Sequence, residues 1–108
     1  MKGIKIAIRS DSKNYLARCN SCIPGATYPD AAFVHVSQGE LMASPWAQFV
    51  LERLDNGKYA LQADSGNYVA RCNNCVPGAA YPDAAFVHVS QGELMASPWA
   101  HWDIIILP

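Results

Sequence analysis

A chain of 108 residues, half of them apolar and with a formal net charge of -1, can hold one hydrophobic core and is too short for two independent ones. Its eight Lys and Arg are scattered singly, without the basic stripe that tracks a phosphate backbone, so no nucleic-acid partner is expected. Apolar runs as short as residues 104–107, and an opening segment broken by Lys5 and Arg9, give no membrane span and no secretory h-region. The cellular address is not written at the N-terminus, where Met1 is equally consistent with an initiator placed before a mature form.

In chain order, the alternation of Ile6, Ile8 and Ser10 predicts a strand with Ala7 and Arg9 on its opposite side. A turn at Asn14 and a second apolar run lead to Cys19-Asn20-Ser21-Cys22. Pro24, Gly25 and Pro29 then exclude helix and central strand. A short strand is predicted at 33–37, and the Gln38-Gly39 step offers a turn before Leu41 and Met42. Residues 48–54 read as a strand with Phe49 and Leu51 facing inward.

The same order then begins again. Residues 28–47 recur letter for letter as 81–100, an offset of 53 that pairs Asn14 with Asn67, Cys19 with Cys72 and Leu54 with Leu107. The chain is therefore expected to be a single domain, 1–108, made of two complete repeats at 2–54 and 55–107. In the second repeat Tyr59, Leu61 and Ala63 share a face, and Asp64-Ser65-Gly66-Asn67 carries a hairpin signature. Residues 101–107 read as a last strand with Trp102, Ile104 and Ile106 inward. Each repeat thus supplies about four strands, no stretch has sustained helical periodicity, and the fold class is all-β.

The segments IAIRSDSKNYLAR and YALQADSGNYVAR, followed by WAQFVLERL and WAHWDIIIL, resemble the hairpin and last strand of one foil of a fascin-like or ricin-type β-trefoil. The likeness covers roughly half of each repeat; the cysteine-bearing loop from 19 to 44 departs from it. The resemblance implies a β-trefoil-like fold and carbohydrate recognition or, on the fascin branch, actin bundling, which the lack of basic patches disfavours. Trefoils close with three foils and this chain has two, so unpaired edges are expected to be completed by self-association.

Cys19 and Cys22, and Cys72 and Cys75, leave three readings open: a small disulfide in each turn, free structural thiols, or a zinc site. Zinc would require the two loops to meet, whereas symmetry-related loops on a trefoil point apart; His35 or His88 could join only if its strand folds back. A redox dithiol lacks the helix that would lower its pKa, because Pro24 and Pro77 follow closely. Disulfides would imply a secreted protein, free thiols a cytoplasmic one.

No nucleophile elbow, phosphate loop or carboxylate pair supports catalysis, so an enzyme is not expected. The repeated block does concentrate Tyr28, Asp30, His35, Gln38 and Trp46, with Tyr81, Asp83, His88, Gln91 and Trp99, in loop-rich sequence. Aromatic faces beside acids and amides suit a sugar, rings covering C–H groups and polar atoms meeting hydroxyls. The competing reading keeps both histidines structural, makes Asp30 a turn residue and lets Trp46 plug a barrel. The expected function is a non-enzymatic, lectin-like module, a homo-oligomer gaining avidity for a glycan. The alternatives are a self-assembling structural repeat and a zinc-binding module. His101, opposite Gln48 in the alignment, is not expected in a duplicated site.

Overall fold

A computed structural model describes residues 3–108; Met1 and the first repeat's start at Lys2 lie outside the described residues. The fold is all-β. Seven strands, β1 (Ile4–Ile6), β2 (Tyr15–Asn20), β3 (Asp30–Val36), β4 (Phe49–Arg53), β5 (Tyr59–Gln62), β6 (Tyr68–Asn73) and β7 (Asp83–Val89), form one antiparallel sheet in the order β1-β4-β5-β6-β7-β3-β2. The sheet curls on itself, because Arg9 bridges Tyr15 and the Leu16 N–H donates to the Ile8 carbonyl at 2.8 Å.

The two repeats are paired alike. Tyr15 to Asn20 pair with Val36 to Asp30 as Tyr68 to Asn73 pair with Val89 to Asp83, each ladder shifting after its tyrosine. Within each hairpin the turn is tight: Ser10 N–H donates to Asn14 O and Ala63 N–H to Asn67 O. A positive φ is needed at the same turn position in both, held by Lys13 (78°) in one and Gly66 (91°) in the other. Strand β3 begins directly after Pro29, three residues earlier than the 33–37 expected, since a proline at a strand's threshold removes no ladder donor inside it.

The repeats meet along β4 and β5, in register Val50↔Gln62, Leu51↔Leu61, Glu52↔Ala60 and Arg53↔Tyr59. β4 also carries β1 on its other edge, Ile6 opposite Phe49. The central core is Phe49, Leu61, Ala63, Val69 and Val87, with Ile6, Ile8, Leu51 and Trp102 packed against it. Leu61 and Ala63 share the buried face as predicted, yet Ala60, between Tyr59 and Leu61 on the opposite face, is also fully buried, because Leu54, Tyr68, Val89 and Leu94 cover the other side.

The predicted last strand is not formed at 103–107. Trp102 alone bridges Tyr59, and its indole N–H donates to the Val69 carbonyl at 2.9 Å. Ile104 and Ile106, expected inward, are exposed, because among the described residues no strand lies on the far side of this segment as β5 does for β4. The second repeat therefore has three strands where four were expected. The Gln38-Gly39 turn is a pair of 3₁₀ segments, Gln38–Ala43 and Pro45–Ala47, repeated as Gln91–Ala96 and Pro98–Ala100.

Candidate functional site

Strands β2 and β3 present a polar cluster at their open end. Arg18 donates to Asp30 (3.1 Å) and, from Nε, to Asp64 of the second repeat (2.9 Å); Asn20 Nδ2 donates to the same Asp30 oxygen at 2.8 Å. The bond to Asp64, opposed by burial and reinforced by Asp30, raises the Arg18 pKa, and the same guanidinium lowers that of Asp64. Beyond the cluster, the loop of the first repeat lies on the second. Thr27 N–H donates to the Cys75 carbonyl at 3.0 Å, and the Tyr28 ring stacks on His88 with centroids 4.4 Å apart. Phe86 is fully buried beneath them, in contact distance of both rings, and Ala31 pairs with it across β3 and β7.

The same side chains in the second repeat have half of these partners. Arg71 donates to Asp83 at 3.1 Å and Asn73 to Asp83 at 2.9 Å, and the Asn73 and Arg71 bonds hold the Asp83 carboxyl below its usual range. Among the described residues Arg71 has no second carboxylate. Tyr81 is 79% exposed where Tyr28 is 39%, and Phe33, the counterpart of Phe86, is 39% exposed where Phe86 is 0%.

Each histidine follows its repeat. His35 is exposed, its Nε2 3.3 Å from the Arg18 carbonyl. His88 is half-buried under Tyr28, its Nδ1 without a partner, and burial depresses its pKa. Gln38 accepts from Arg9 at 3.3 Å, while Gln91 lines a surface pocket with Tyr68 and Leu94. Glu40 and Glu93 close the 3₁₀ segments: each carboxylate accepts from the backbone N–H and the hydroxyl of Ser37 or Ser90, which lowers its pKa. Trp46 and Trp99 follow a proline and precede a fully buried alanine, leaving their indoles 38% and 43% exposed. Trp46 is thus no barrel plug; Trp102 occupies the central core. His101 does share a duplicated role, because its Nε2 meets the Leu94 carbonyl at 2.7 Å as the Gln48 amide donates to Leu41 at 3.0 Å.

The sulfurs of Cys19 and Cys22, and of Cys72 and Cys75, lie at disulfide distance, with Cα separations of 5.8 and 5.7 Å inside the usual range for a bridge. Sulfurs bonded to one another offer no thiolates to zinc, and among the described residues no group of three or more metal-ligating side chains converges. The expectation that the two loops point apart is corrected: Ile23 and Ala26 pack on Cys72 and Cys75, and Gly25, at φ 74°, brings its backbone beside Pro77. The pairs fit an oxidising setting, and among the described residues no helix is long and apolar enough to cross a membrane.

Of the expected ligand residues, Tyr28 and His88 are brought together, while Asp30 and Gln38 are not. Asp30 and Gln38 flank a seven-residue strand and lie roughly 20 Å or more apart at the usual rise, too far to grip one sugar ring. What the fold brings together is a junction between the repeats: Arg18, Asp30 and Tyr28 on one side, Asp64, Phe86 and His88 on the other. The sequence marks Asp64 only as a turn residue and gives Arg18 no site role. The signal for them was their counterparts, Arg71 and Asp11, which recur at the same offset. No family model, curated protein or solved structure matches the chain.

Proposed function

We propose that this chain is a non-enzymatic binding module, lectin-like in its exposed aromatic chemistry and multivalent through association of its repeats in a β-trefoil-like arrangement. The observation that carries the reading is the unequal state of identical side chains: at the junction inside the chain Phe86 is fully buried and Tyr28 is half as exposed as its counterpart Tyr81, while Phe33, the counterpart of Phe86, is 39% exposed. A surface built to be covered in one copy and left open in the other supports association. The β4 strand, paired on both edges between β1 and β5, follows the strand, hairpin, strand order of a foil, which supports the trefoil-like reading.

For the ligand, the duplicated block narrows to Trp46 and Trp99. Their indoles stand on rigid 3₁₀ turns anchored by the buried hydroxyls of Ser44 and Ser97, each donating at 2.7 Å to a carbonyl. The acids expected beside them are engaged elsewhere, Asp30 and Asp83 by arginine and asparagine. A single indole face gives weak sugar stacking, and linking copies multiplies it. On a glycan array, binding by the wild-type chain that disappears in the doubly substituted Trp46→Ala/Trp99→Ala protein, with its fold retained by circular dichroism, is the expected outcome. Silence of the wild-type chain across the array, together with a stable oligomer, assigns it instead to self-assembly alone.

A further inference from the structure

The contacts of the internal junction have counterparts displaced by 53 residues, and several of the counterpart side chains, Phe33, Tyr81 and Leu107 among them, are exposed. In the internal junction β4 lies against β5 and continues to Leu54, which is 7% exposed in a cluster with Ala60, Tyr68, Val89 and Leu94. The equivalent of Leu54 is Leu107, which is 80% exposed. The equivalent cluster around Ala17, Val36 and Ala47 has Tyr15 and Leu41 only half-buried and, among the described residues, no side chain in the place of Leu54. Among the described residues one copy of the core is thus complete, while the other is open where Leu54 would sit, and Leu107, the counterpart of Leu54, stands in solvent.

We infer that a second copy of this chain docks head to tail, the 103–107 segment of one copy adding to the 6–9 edge of the next and its Leu107 entering the cluster of Tyr15, Ala17, Val36 and Leu41. The register follows from the internal one. Val50↔Gln62 becomes Asp103↔Arg9, Leu51↔Leu61 becomes Ile104↔Ile8, Glu52↔Ala60 becomes Ile105↔Ala7 and Arg53↔Tyr59 becomes Ile106↔Ile6.

Three independent features agree with that register. Its one polar pair joins opposite charges, and its other three pairs are apolar, including Ile104, Ile105 and Ile106, which are otherwise exposed. Arg71, which holds one carboxylate where Arg18 holds two, meets Asp11, the counterpart of Asp64. Tyr81 meets His35, and Phe33 is covered, as Tyr28 meets His88 and Phe86 is covered within the chain. All these contacts run in the same direction, from the second repeat of one copy to the first repeat of the next. The interface is therefore heterologous and recurs until a ring closes or a filament grows.

This inference rests on the proposed association and specifies its geometry. Sedimentation velocity on the full chain, over a concentration series and with circular dichroism as the folding control, tests it. The wild-type chain is expected to associate. Leu107→Asp weakens association by about tenfold or more, the order expected for losing one buried leucine. Arg71→Asp or Asp11→Arg alone weakens it, and the double charge reversal restores it. An oligomer indifferent to all of these changes overturns the junction while leaving self-association standing. A folded wild-type monomer at every concentration, including one whose own 103–107 segment lies on its own 6–9 edge, overturns both. Neither result bears on the glycan array, so failure of sugar binding stays separate.

Discussion

A single phenylalanine shows how far surroundings, and not identity, set the energetics here. Phe33 and Phe86 occupy the same position in identical sequence, yet Phe86 is fully buried against Tyr28 and Ala31 while Phe33 is 39% exposed. Phe86→Ala should therefore cost about 3–5 kcal/mol of stability by urea unfolding, as for a fully buried aromatic, and Phe33→Ala clearly less in the dilute chain. Equal losses would mean that the two repeats are equivalently packed. His88 provides a second test. Its imidazole lies under the Tyr28 ring with a buried Nδ1, and burial holds its folded pKa below the ordinary value of about 6.5; the Phe86 backbone and, less strongly, Glu93 oppose this shift without cancelling it. A depressed histidine pKa means that the unfolded chain binds the proton more tightly. The stability contributed by neutral His88 is thus present above about pH 6.5 and lost as pH falls from there toward the folded pKa. Urea midpoints at pH 7.5 and 5.5 should fall in that order for the wild-type chain. The fall should shrink in His88→Gln, and an unchanged slope would remove His88 as its source.

At the scale of the elements, the hairpins were legible because turn chemistry and period-two alternation coincide. Ile6 and Ile8 against Ala7 and Arg9, and Phe49 facing the core, appear as expected. The failures have one physical cause. A strand needs a partner, and nothing in HWDIIIL records whether a neighbour lies beside it; β4 is ordered on both edges, and its counterpart at 103–107 is not. The candidate site was half legible for a related reason. Its residues were identifiable by type and repetition, but not that Tyr28 and His88 meet across the repeats, since a ring that grips sugar and a ring that packs on imidazole look alike in one sequence. The turn at Lys13 carries a sharper consequence. Lys13 holds a φ of 78° where the other hairpin has Gly66 at 91°, and non-glycine residues adopt that region at a cost. Lys13→Gly should leave the hairpin unchanged and raise stability by up to about 1 kcal/mol, read as a higher urea midpoint. A lower midpoint would show that Lys13 makes a compensating interaction.

For the molecule as a whole, the repeat matters less as a duplicated pocket than as a duplicated junction. The internal copy buries Leu54, pairs Arg18 with Asp64 and stacks Tyr28 on His88; the counterparts are Leu107, Arg71 and Tyr81 in the second repeat and Asp11, His35 and the cluster of Ala17 and Val36 in the first. On the proposed association an identical block of sequence has a direct physical use, because a junction made once inside the chain and again between chains would need the same side chains twice. Exposed apolar residues gathered at an unpaired strand edge are the usual mark of an interaction surface. Light scattering across a concentration series of the wild-type chain tests this most directly. The account predicts a mass that rises above one chain and falls on dilution or on Leu107→Asp, and a well-folded monomer of constant mass at all concentrations would contradict it.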